Sequence, residues 1–121
     1  MGRYTGRMGK GDSAGRSVDD GTWLIDAGHE IIEKRRRDGD DMLTPRERLI
    51  RALWTVDYSM RNAGDLATAR DLDAQFREIG RAAAETLGLP SALEAFSLSD
   101  GELERRYFDL FDGICAELRG R

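Results

Sequence analysis

Cysteine, histidine and proline are scarce in this chain: one Cys, one His and two Pro stand among 121 residues. A lone Cys115 excludes an internal disulfide and leaves too few soft ligands for a thiolate metal site. A lone His29, even with Glu33 one helical turn later, falls short of the three protein ligands that catalytic zinc usually takes. Neither a metal nor any other cofactor is expected. No window reaches the roughly eighteen consecutive apolar residues of a membrane span, and no apolar run follows the basic N-terminus as it would in a secretory signal. The chain therefore reads as cytoplasmic and as free of any membrane role. Sustained alternation of apolar and polar residues, the mark of a half-buried strand, is lacking as well. What is present is hydrophobic content of 40%, enough to fill one modest core if most of the chain takes part.

Charge is unevenly placed. The formal net charge is −4, yet Met1 to Arg16 carries Arg3, Arg7, Lys10 and Arg16 against Asp12 alone. From Asp38 onward 17 Asp and Glu face 11 Arg, a balance of −6, which disfavours nonspecific nucleic-acid binding by the folded part. Residues 1–17, basic and rich in glycine, have almost nothing apolar to offset the entropy of ordering. They are expected to form a disordered tail, with 18–121 as a single helical domain. The "GKGDS" within the tail lacks the spacing of a phosphate-binding loop, and no strand precedes it.

Helical periodicity organises the rest. Trp23, Leu24, Ala27, Ile31 and Ile32 recur at three- and four-residue intervals, predicting a short amphipathic helix over Asp20 to Arg37 that ends in four cations, Lys34 to Arg37. "TPRE" restarts the pattern with Thr44 as N-cap, Pro45 at the first helical position and Glu47 three residues after the cap. Leu49, Leu53, Val56 and Met60 follow on one face. Asn62 and Gly64, which tolerate left-handed backbone, end that helix, and Asp65 is placed to cap the next. Ala69, Leu72, Phe76, Ile79, Ala83 and Leu87 predict a second long helix, stopped by Gly88 and Pro90. A brief turn from Ser91 to Phe96 leads to a terminal helix, capped by Ser99 with Glu102 and lined by Leu103, Tyr107, Leu110, Phe111, Ile114 and Leu118. The expectation is an all-α bundle of three main helices with a fourth, N-terminal helix before them.

Chemistry-bearing residues are many but mostly explained by packing or solvated pairing. "DGDDM" fails as a calcium loop, because no glycine stands at its sixth position and no Glu at the twelfth. Cys115 sits among Ile114 and Leu118 and reads as a core thiol. Acids such as Asp73 and Asp109 have an arginine one turn away, Arg77 and Arg105, which suits surface ion pairs. No nucleophile, base and orienting group stand at credible spacing, so an enzyme is not expected. Asp57 is different. It falls at the edge of the buried face, where a carboxylate needs a partner, and Arg61 is the local one. A boundary salt bridge is the plain reading; the sharper one joins Asp57, Arg61, Asn62 and Asp65 in a polar cluster beside Trp54 and Tyr58, whose rings suit a protein interface.

"RNAGDLATARDLDAQFREIG", Arg61 to Gly80, and "ELERRYFDLFDGICAEL", Glu102 to Leu118, together resemble the helical domain of the DNA-mimic-protein C-terminal-like family. The matching positions are Asn62, Gly64, Asp65, Ile79, Gly80, Tyr107 and Phe108. The family's Asn-Gly-Gly segment with its following Gln and aromatic residues is missing here. The resemblance implies an all-α, non-enzymatic bacterial protein that binds another protein, as an acidic mimic of DNA or as an immunity-like partner of a toxin. Mimicry needs carboxylates on a continuous face, and Arg70, Arg77, Arg81, Arg105 and Arg106 interrupt them. A protein-interaction module, immunity-like or regulatory and open to self-association, is therefore the leading expectation. The alternative is a nucleic-acid-associated protein that uses the basic tail and the Lys34 to Arg37 cluster.

Overall fold

A computed structural model describes residues 18–120, and the expected disordered tail over residues 1–17 lies outside them. The described residues form six α-helices and no strand: α1 (Asp20–Asp38), α2 (Pro45–Ala63), α3 (Ala67–Leu72), α4 (Phe76–Leu87), α5 (Pro90–Ser97) and α6 (Asp100–Arg119), with one 3-10 turn at Asp40–Met42. None of the described helices is long and apolar enough to cross a membrane.

Local chemistry sets the helix ends. The Glu47 amide donates to Thr44 Oγ1 at 3.1 Å while Glu47 Oε1 accepts from the Thr44 amide at 2.9 Å, a complete capping box. At the other end of α2, Gly64 takes a left-handed φ of 76° and its amide closes on the Met60 carbonyl. The next cap differs by one residue from the sequence expectation. Leu66 holds the cap position of α3, and Asp65 Oδ1 accepts from the Ala67 amide at 3.0 Å.

The expected second long helix is broken in two. Asp73 is extended, with φ −160°, between α3 and α4. Its Oδ1 accepts from the Gln75 amide and its Oδ2 accepts from Arg51 at 2.8 Å, in a largely buried pair. A carboxylate that bonds its own backbone two residues on competes with helix, and the arginine of α2 holds it in that alternative. The arrangement of three main helices plus one is thus replaced by six, of which α1, α2 and α6 are the long ones at 19, 19 and 20 residues.

The core lies around α2, which packs on α4, α1, α3 and α6; α5 bridges α4 and α6. Leu49, Ile50, Leu53 and Val56 of α2 meet Phe76, Phe96, Leu103 and Tyr107 in one buried cluster. Each such large side chain stabilises the fold by about 1.5–3 kcal/mol on burial. Helix α6 also caps its neighbours: Glu104 accepts from the Leu66 amide at the start of α3, and both oxygens of Glu117 accept from the Ser91 and Ala92 amides at the start of α5. The N-cap residues of these helices, Leu66 and Leu89, supply no side-chain cap themselves. A carboxylate at a helix N-terminus satisfies orphan amides and meets the positive end of the helix dipole.

Candidate partner-binding face

The exposed stripe of α2 is narrow because this helix is the hub of the core. Trp54, Tyr58 and Arg61 lie three and four residues apart on that stripe, so they share one side. The Trp54 ring rests on α1 at Gly28, where an added Cβ would lie 2.4 Å from Trp54 Cδ1. Glycine is required there by the close approach of the indole. His29, the next residue, meets the same ring edge-on at 6.1 Å. Tyr58 stacks on the other side of Trp54, with centroids 5.4 Å apart and planes 18° apart. Trp54 is half-buried and Tyr58 is exposed.

Asp57 is buried at 4% exposure. Its carboxylate accepts from Arg61 Nε at 2.9 and 3.1 Å and from the Tyr107 hydroxyl at 2.6 Å. The pairing of Asp57 with Arg61 was legible one turn apart; Tyr107, from α6, is the partner that spacing did not reveal. Burial, and then the Asp57 carboxylate beside it, push the Tyr107 phenol far above its ordinary range, so it stays a hydrogen-bond donor. Arg61 is thereby fixed at its base, while its guanidinium spreads over the Phe108 and Phe111 rings at 5.2 and 5.1 Å from their centroids. Contacts of this kind contribute about 0.5–1 kcal/mol at exposed sites.

Asn62 and Asp65 serve the backbone. Asn62 Nδ2 donates to the Tyr58 carbonyl at 2.8 Å, satisfying an end of α2. Asp65 is exposed and spends one oxygen on α3. Beneath them a buried Ser59 hydroxyl donates to the Asp65 carbonyl at 2.5 Å and accepts from the Ala69 amide at 3.0 Å. The structure therefore brings Trp54, Asp57, Tyr58 and Arg61 into one group and leaves Asn62 and Asp65 at its edge.

Two residues complete the face that sequence reasoning had not placed there. Ile25, Tyr58 and Phe108 are three of the five large apolar side chains exposed among the described residues, at 45, 44 and 51%. Arg61 links them: it overlies Phe108, and it lines with Ile25, Phe111 and Asp112 a depression of about 530 Å³ between the start of α1 and α6. The Tyr107-Phe108 doublet carried the signal, since Phe108 falls outside the three- and four-residue series of Leu103, Tyr107, Phe111, Ile114 and Leu118 that α6 buries.

Other candidates are accounted for by packing and pairing. Cys115 is fully buried, and burial raises its thiol to about 12, away from thiolate chemistry. All four cations at the end of α1 are paired: Lys34 with Glu47 at 2.8 Å, Arg36 with Glu33 at 3.1 Å, Arg37 with Asp38 at 3.2 Å, and Arg35 with Asp40. Among the described residues no three His, Cys, Asp or Glu side chains converge as a metal-binding group. Comparison with known proteins returns no matching family model, no matching curated protein and no matching solved structure. The reading of the face rests on its own geometry.

Proposed function

We propose that this chain is a protein-interaction module that binds a protein partner through the face of Trp54, Tyr58, Arg61, Phe108 and Ile25, with the acids of the helical body around it. The observation that carries this reading is the gathering of three exposed large apolar side chains around one arginine whose base is locked to a buried carboxylate. Exposed aromatic residues with arginine are the composition that protein interfaces favour, and a pre-ordered arginine loses less entropy on binding. A regulatory or immunity-like role in a bacterial cytoplasm fits the same reading; the resemblance to the DNA-mimic-protein C-terminal-like family and the single cysteine support it. The nucleic-acid alternative is the weaker one, because the Lys34 to Arg37 cations are already balanced within the fold.

Affinity capture with the tagged full chain tests the proposal. Tyr58→Ala and Phe108→Ala should each lose the captured partner while keeping the helical circular-dichroism spectrum. Leu72→Ala removes another exposed apolar side chain, 48% exposed on α3, and should retain it. A partner held equally by all three variants would sink the proposal.

A further inference from the structure

The charges around this face are one-sided. Asp112 and Asp19 line the depression beside Ile25 and Arg61. Asp26 lies four residues past Thr22, which also lines it, and Asp109 three residues before Asp112, so each exposed acid shares a side of its helix with a lining residue. None of these four carboxylates stands in an ion pair among the described residues. The backbone amide of Thr22 holds the Asp19 carboxyl below its ordinary range, so it is ionised at neutral pH. Arg61, the cation that lines the depression, is balanced by Asp57; Arg105, one turn before Asp109, is taken up by Glu102; and Asp20 at the rim is balanced by Arg119 at 2.8 Å.

An apolar centre with unbalanced negative charge around it restricts what can cover it. A second copy would set acids against acids, which costs free energy. The shape narrows the choice further: the depression runs between α1 and α6 with Phe111 and Arg61 lining it, and a channel between two helices accepts side chains at i, i+3 and i+4 of a third.

We propose that the occupant of this face is a cationic amphipathic helical segment of a partner protein, with an apolar side chain seated between Ile25 and Phe111 and its lysines or arginines against Asp26, Asp109 and Asp112. The inference rests on the partner-binding reading of the face and adds the chemistry of the partner.

The test titrates the full chain with a Lys/Leu amphipathic peptide of about 18 residues, roughly five helical turns. Two control peptides accompany it: a scrambled peptide of the same composition and a Glu/Leu peptide of the same pattern. The Lys/Leu peptide should bind, weaken between about 50 and 300 mM NaCl as the acids are screened, and outcompete both controls. Asp26→Asn, Asp109→Asn and Asp112→Asn combined should weaken it by about tenfold, and Phe108→Ala by a similar factor. Equal or tighter binding of the Glu/Leu peptide, or full affinity in the triple variant, overturns the proposal. So does a concentration-dependent dimer, seen by sedimentation, that Phe108→Ala dissolves, because the occupant is then a second copy. Changing Arg3, Arg7, Lys10 and Arg16 to glutamine gives the last arm: peptide binding seen only in that variant makes residues 1–17 the occupant and also overturns it. If the captured partner depends on Tyr58 and Phe108 while the Glu/Leu peptide wins here, the face survives and its charge assignment fails. If the captured partner ignores both side chains, the face itself fails.

Discussion

The Tyr107 hydroxyl of α6 donates to Asp57 Oδ1 of α2 across 2.6 Å of core, fifty residues away along the chain. The same carboxylate holds Arg61 from the solvent side, so one buried acid couples helix packing to the surface residue at the centre of the candidate face.

That coupling is measurable by a double-mutant cycle in urea. Tyr107→Phe should cost about 1–3 kcal/mol, because Asp57 loses a charge-assisted bond in a buried place. Asp57→Ala should cost a similar amount by leaving the phenol and Arg61 without their acceptor. The double variant should be less destabilised than the sum of the two, by about 0.5–3 kcal/mol. Strict additivity would mean that the two groups do not depend on each other.

Gly28 is the seat of Trp54, and the clash of 2.4 Å is with ring carbon. Gly28→Ala should therefore cost about 1–3 kcal/mol, as overpacking does, and displace the indole, which tryptophan fluorescence reads against the unchanged Trp23. Adding Trp54→Leu should recover part of that loss, since the smaller side chain leaves room for the methyl. A Gly28→Ala protein as stable as the parent, with an unaltered spectrum, would place the indole elsewhere.

Asp100 gives the acid response a sign. Burial opposes its ionisation, but the guanidiniums of Arg70 and Arg77 outweigh it and leave the carboxyl below its ordinary 3.8. Glu47 is also lowered from 4.5, first by Lys34 and then by the Thr44 amide. A carboxyl depressed by folding contributes stability that is fully present above its unfolded value and is lost as pH falls through its folded one. The urea midpoint should thus hold from pH 7 to about 5 and decline below 4.5 and 3.8 in turn. Asp100→Asn should be less stable than the parent at neutral pH, and the gap should close in acid; a gap constant down to pH 2 would contradict the linkage.

What the sequence made legible is what short-range chemistry decides. Thr44, Pro45 and Glu47 announced the start of α2 because a capping box is complete within four residues. Asn62 and Gly64 marked its end, and Arg61 was found for Asp57, by one-turn geometry. The features that escaped depend on residues far apart in sequence. Asp73 breaks a well-formed periodic stripe because Arg51, in another helix, stabilises the local turn. Gly28 carries no signal of its own in the sequence, because the indole that requires it comes from α2. Phe108 and Ile25 joined the face through the packing of α6 and α1 on α2, which periodicity within one helix does not encode.

Ser59 holds the connection after α2 from beneath, with one hydroxyl bonded to the Asp65 carbonyl and to the Ala69 amide. Asn62 and Ala63 ride above it, exposed. Asn62, Gly64 and Asp65 close the ends of the two helices, so at this tip Ala63 alone is free of that burden. A substitution at Ala63 can therefore change what the surface presents while the same mount carries it, provided that the serine underneath is kept.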